Sequence, residues 1–213
     1  MAAFFVQSAS NTALTTPVTV TLGLTPKITN LLIGVVDANV AAGSVTITGF
    51  TSAVSIATNI GVGSTQVFYK ICDGTDTTSI SSVGTLATLM QFHVFEFSGF
   101  NTTTASVLDQ TASTADSGVP VTSRASGTTS ATTLADELVV AAVGTLLTNG
   151  GSVSWTNSYV TGITTTDLMT SYLITTATGA QSTTASWATL QNAAGCVATF
   201  KASSGNSFYR GGK

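Results

Sequence analysis

A period of two runs through this chain, apolar residues alternating with hydroxyl-bearing ones. Pro17-Val-Thr-Val-Thr-Leu22 has it, Ser44-Val-Thr-Ile-Thr-Gly-Phe50 has it, and Ser152-Val-Ser-Trp155 repeats it. Such runs predict β-strands with one face on a core and one in solvent. Three further runs are apolar on both phases: Leu31–Val36, Met90–Phe97 and Leu138–Val143. These are expected as central strands covered on both sides. A helix has room only around Leu134–Val143, and the β-branched residues there favour a strand. Turn signals punctuate the runs at Ala42-Gly43, Asp73-Gly74, Ser98-Gly99 and Asn149-Gly-Gly151.

Composition agrees. Ser and Thr make up about a third of the chain and take the solvent-facing places that Lys and Glu usually fill. Only 7% of residues are charged, while 43% are hydrophobic. That hydrophobic fraction and its periodicity argue against disorder. Six Lys and Arg, scattered from Lys27 to Lys213, build no phosphate-neutralising patch, so no nucleic-acid partner is expected. No apolar run approaches the length of a membrane helix, and the N-terminus lacks the basic region of a signal peptide. No membrane partner is expected either.

The chain also echoes itself. Leu31-Leu-Ile-Gly-Val-Val, Gly43-Ser-Val-Thr-Ile-Thr, Tyr69-Lys-Ile, Thr77-Thr-Ser-Ile-Ser and His93–Phe97 occur in that order. Leu138-Val-Val-Ala-Ala-Val, Gly151-Ser-Val-Ser-Trp-Thr, Tyr172-Leu-Ile, Thr183-Thr-Ala-Ser-Trp and Cys196–Phe200 follow in the same order, about 103 to 108 residues later. That spacing is too long for a solenoid or propeller and suits a sandwich with pseudo-duplicated halves, each half feeding strands to both sheets. The expected organisation is an N-terminal arm and first strand (1–29), one all-β, jelly-roll-like antiparallel sandwich (30–201, with pseudo-repeats 30–100 and 136–201), and a C-terminal tail (202–213). Asn101–Thr133, poor in aromatics, is expected as long connections with short edge strands, one near Val119-Pro-Val121.

Chemistry-bearing residues are sparse. His93 is the only histidine and lies in a strand-like run, which points to a structural role. Cys72 and Cys196 each sit inside an apolar run, as buried free thiols do, although neighbouring strands could bring them into bonding range. Asp73-Gly-Thr-Asp76 lacks the carboxylate spacing of a calcium loop and is expected as a hairpin turn. No phosphate-binding loop or nucleophile–base set stands out, so neither a catalytic site, a bound metal nor a cofactor is expected. Phe4, Phe5, Phe208, Tyr209 and Arg210, near the two ends, have the composition of interface anchors. Trp155, Tyr159 and Trp187, with Tyr172 and Phe50, are the residues that could make a sugar-stacking platform.

Phe68-Tyr-Lys-Ile-Cys-Asp-Gly-Thr75, Phe95-Glu-Phe-Ser-Gly-Phe100, Asp136-Glu-Leu-Val-Val-Ala-Ala142 and Val197-Ala-Thr-Phe-Lys201, in that order, resemble a β-sandwich domain of tailed-bacteriophage virion structural proteins. The resemblance spans roughly Asn30 to Lys201. It implies a capsid decoration (cement) protein on the outer surface of the virion. The implied partners are the major capsid protein and copies of the chain itself, as a homotrimer or another cyclic oligomer. A tail-fibre or baseplate module binding host-surface glycan is the other role it implies. It carries over no catalytic residues.

Overall fold

The computed structural model describes residues 3–58, 63–84, 89–100, 107–146 and 151–203. Among them are sixteen strands, all antiparallel to their neighbours, and no helix. The first half supplies β1 (Phe4–Ala13), β2 (Val18–Thr21), β3 (Leu31–Ala38), β4 (Val45–Ile47), β5 (Thr51–Thr58), β6 (Gly63–Ile71), β7 (Ser79–Gly84) and β8 (Met90–Ser98). The second supplies β9 (Leu108–Thr114), β10 (Val121–Ala125), β11 (Leu138–Thr145), β12 (Ser154–Trp155), β13 (Val160–Thr164), β14 (Leu168–Ile174), β15 (Thr184–Gln191) and β16 (Ala193–Phe200).

Strand order repeats without exception. The first half makes a sheet β1-β8-β3-β6-β5 and a smaller one β2-β7-β4; the second makes β9-β16-β11-β14-β13 and β10-β15-β12. Orders 1-8-3-6 and 2-7-4 are those of an eight-stranded jelly roll. Its fifth strand is here moved from the small sheet to the edge of the large one. The fold is thus an all-β antiparallel sandwich with duplicated halves, as expected. The strands do not interleave between the halves, however. Each half closes its own pair of sheets, and the two large sheets pack face to face.

Four layers result, with three cores between them. Strand alternation assigns each side chain to a layer: Leu31, Ile33 and Val35 of β3 join Leu138, Val140 and Ala142 of β11 in the middle core. Leu32 and Val36 point the other way, onto Val18, Val20, Val45 and Ile47 of the first small sheet. Val139, Ala141 and Val143 likewise face the second small sheet. This is why β3, β8 and β11 are apolar on both phases. Each fully buried Leu, Ile, Val or Phe contributes roughly 1.5–3 kcal/mol, so the shared middle core, which ends in Phe97, Phe100 and Phe200, binds the halves strongly together.

Local details repeat as well. Thr29 and Asp136, just before β3 and β11, both take left-handed backbone, with φ of 71° and 60°. A buried glutamate then caps the entering loop in each half, but from different places in the fold. Glu96 of β8 accepts from the Lys27 amide (2.9 Å), and Glu137, just ahead of β11, accepts from the equivalent Leu134 amide (3.0 Å). One segment departs from expectation and one agrees with it. Phe4–Ala13, expected in an arm, pairs with β8 along its length as an edge strand. Asn101–Thr133 holds edge strands as expected: β10 starts at Val121, and β9, seven residues long, pairs with β16 in the place that β1 takes against β8.

Candidate functional site

Two places stand out from the apolar layers: an aromatic rim on the outside, and a polar pocket where the halves meet. The rim begins at β1. Phe4 is 58% exposed, and Phe5 and Val6 are partly exposed. Phe5 stacks on Tyr172 of the second half (centroids 5.7 Å apart, planes 10° apart) and meets Phe97 edge-on at 5.8 Å. It therefore anchors β1 across the junction while leaving part of its ring in solvent. Val160 of β13, the cross-strand partner of Tyr172, is also exposed. No charged residue occurs in β1 or in β13. Of the five residues read as interface anchors, Phe4 and Phe5 thus lie together on this rim, while Phe208, Tyr209 and Arg210 lie outside the described residues.

The three aromatics considered for a sugar platform sit elsewhere. Tyr159 and Trp187 are buried between the second large sheet and its small partner, and Trp155 is half-buried beside them. They fill the layer that the first half fills with Val, Ile and Phe, and pack in clusters with Val143, Met169 and Val197. The Tyr159 hydroxyl and both indole N–H groups lack hydrogen-bond partners. Phe50 is separate, beside an open groove with Thr48, Asp76, Ser79 and Ser81.

The Asp73–Asp76 segment, expected as a hairpin turn, instead bends from β6 of the large sheet to β7 of the small one, strands that do not pair. Asp73 accepts from the amide and hydroxyl of Thr75, and the Lys70 ammonium lies 2.6 Å from Asp76. Those hydrogen bonds hold the Asp73 carboxyl down at about 2. Both cysteines are free and buried, and burial, the main cause, pushes each thiol up to about 12, so neither is an activated nucleophile. His93 is buried and neutral, its ring nitrogens 3.0 and 3.3 Å from the hydroxyls of Thr165 in the β13–β14 turn and Thr170 on β14; burial lowers its pKa to about 3.

His93 belongs to the polar pocket. Along β3 the inward row runs Leu31, Ile33, Val35 and then Asp37, flanked across the sheet by Thr65 of β6 and Gln91 of β8. Opposite, the inward row of β11 ends in Gly144, flanked by Leu168 and Ala194. A Cβ at Gly144 would collide with the Asp37 carboxylate and the Thr65 hydroxyl. The first half thus pushes polar side chains into room that small residues of the second half leave open. Thr65 donates to Asp37 at 2.8 Å. Burial drives the Asp37 carboxyl up to about 8, against the Thr65 hydrogen bond, with repulsion from Asp167 adding to the rise.

Asp167, in the β13–β14 turn, is held by its backbone amide on the Gln91 side-chain oxygen (3.2 Å) and by its carbonyl, which accepts from Thr145 (2.8 Å). Its own carboxyl is raised by burial, opposed by the nearby Gln91 amide. Yet Asp167 Oδ1 and Gln91 Nε2 are buried without a hydrogen bond of ordinary geometry. Asp37 and Asp167 both line a small cavity of about 30 Å³ at this end of the middle layer, with Asn39, Thr58 and Thr145. Sequence reasoning missed this pocket. Its one signal was an acid on the inward phase of β3, where every other residue is apolar. Among the described residues, no three of His, Cys, Asp and Glu converge as a metal-binding group. In comparisons with known proteins, no family model, no curated protein and no solved structure matches the chain.

Proposed function

We propose that this chain is a virion structural protein, a decoration (cement) protein that binds the outer surface of a tailed-phage head and stabilises the shell. It works by adhesion, without catalysis or cofactor. Its partners are the major capsid protein and copies of itself in a cyclic oligomer such as a trimer. The observation that carries this reading is the uncharged rim of Phe4, Phe5, Val6 and Val160 on free sheet edges. Buried interface centres are depleted of charge and enriched in aromatics, and a bare edge strand invites pairing. The duplicated jelly roll supports it by analogy, since that topology recurs in capsid and lectin domains.

The test is genetic and physical. Particles lacking the chain are expected to lose shell integrity at lower temperature, and adding the purified chain back should restore it. Particles equally robust without it would count against a cement role. In solution the chain is expected to form a closed oligomer by light scattering; a stable monomer at high concentration would contradict that part.

The groove beside Phe50 favours a second reading, a tail-fibre or baseplate module binding host-surface glycan. An aromatic ring bordered by Thr48, Asp76, Ser79 and Ser81 has the chemistry that takes up a sugar. Retention on host glycan that Phe50→Ala abolishes would support this reading over the first.

A further inference from the structure

We propose that Asp37 and Asp167 form a seat for a single hard cation, calcium by its chemistry, that ties the two halves together at the polar end of the middle layer. The pair comes from opposite halves, β3 on one side and the β13–β14 turn on the other. Both carboxyls are buried and line one cavity of about 30 Å³. That is room for one particle the size of a water molecule or a bare ion.

An oxygen inventory supports a cation. Asp167 is 5% exposed, and its Oδ1, near the Gln91 amide, has no hydrogen bond of ordinary geometry among the described residues. Asp37 Oδ1 accepts from Thr65. The same lining carries further oxygens, the hydroxyls of Thr58 and Thr145 and the Asn39 side-chain oxygen, which accepts from the Leu89 amide. Among the described residues no Lys or Arg lines the cavity, in contrast to Asp73 and Asp76, where Lys70 supplies the counter-charge. Two facing carboxylates out of water require either a proton between them or a cation. Calcium accepts irregular sets of oxygen ligands, whereas magnesium demands a near-ideal octahedron and holds its own water. Gly144 keeps the space clear, since any side chain there would fill the position of the Asp37 carboxylate.

With only two carboxylates the expected affinity is weak, on the order of 10⁻⁴ to 10⁻³ M. The full chain, stripped with chelator and held at mildly alkaline pH, would be titrated with calcium chloride by calorimetry and followed by thermal melting. One-to-one binding and a rise in melting temperature are expected, with a smaller rise for magnesium. The isosteric changes Asp37→Asn and Asp167→Asn should each abolish the calcium-dependent rise. No heat and no shift in the unmodified chain, at calcium on the order of 10⁻² M, would overturn the proposal and leave a proton or a water in the cavity. A calcium effect that survives in both variants would overturn it too, by placing the ion elsewhere, for instance at Asp73.

Discussion

Asp37 sits at about 8 because burial disfavours its charged form, and that makes it a pH-dependent element of stability. Its pKa is raised above the ordinary 3.8, so its contribution is complete below about 4 and lost as pH climbs through about 8. The groups facing it are Asp167 from the β13–β14 turn, Thr65 and Gln91 from its own sheet, and Cys196 from β16; His93 lies one pair along β8. His93 runs the other way, its lowered pKa costing stability as pH falls from 6.5 toward 3. Asp37→Asn isolates the acid. In chelator, the wild type should lose stability relative to the variant between pH 4 and 8, by on the order of a few kcal/mol, measured by urea denaturation. A constant difference across that range would refute the assignment. Thr29 offers a second test. A β-branched residue at φ 71° is strained, so Thr29→Asn should stabilise by about 1 kcal/mol in the same assay.

Two elements place the halves against each other, and each suggests a variant. Gly144 on β11 yields its side-chain space to Asp37 and Thr65. Gly144→Ala should therefore destabilise by about 1–3 kcal/mol through overpacking, although alanine favours ordinary strand positions over glycine. Unchanged thermal stability would mean the two large sheets are not in the described register. At the edge, β1 pairs on one side only among the described residues and carries no charge. Val6→Lys should reduce self-association in sedimentation velocity while leaving monomer stability within about 0.5 kcal/mol. Much of this element structure was legible in the residues: the both-face apolar runs became β3, β8 and β11. β1 was missed, and β9 was expected only as an unplaced edge strand. Phe4–Ala13 and Leu108–Thr114 are half-solvated edges, and their alternation is weak because only one face of each has a core to meet. The polar pocket was invisible for another reason. Asp37 and Asp167 are 130 positions apart in sequence, and only the packing of one half on the other brings them together.

At the scale of the whole molecule, the internal echo proved to be a duplication of an entire eight-stranded unit. The repeated Tyr69/Tyr172 and Leu31/Leu138 segments mark equivalent strands, with the same neighbours in each half. What the echo could not specify was whether the halves share sheets or stack them, because both arrangements give the same alternation. The aromatics read as a platform show the same ambiguity: alternation puts Trp187 on a face of β15 without saying that another sheet covers it. Since the middle core draws side chains from both halves, the molecule should unfold in one cooperative calorimetric transition. Two separated transitions would mean the halves are independent. The proposed function rests on the outer surface of this stack, and immunogold electron microscopy of intact particles from the source of the chain tests it most directly. The account predicts gold distributed over the head; gold confined to the tail tip, or no labelled particle at all, would contradict it.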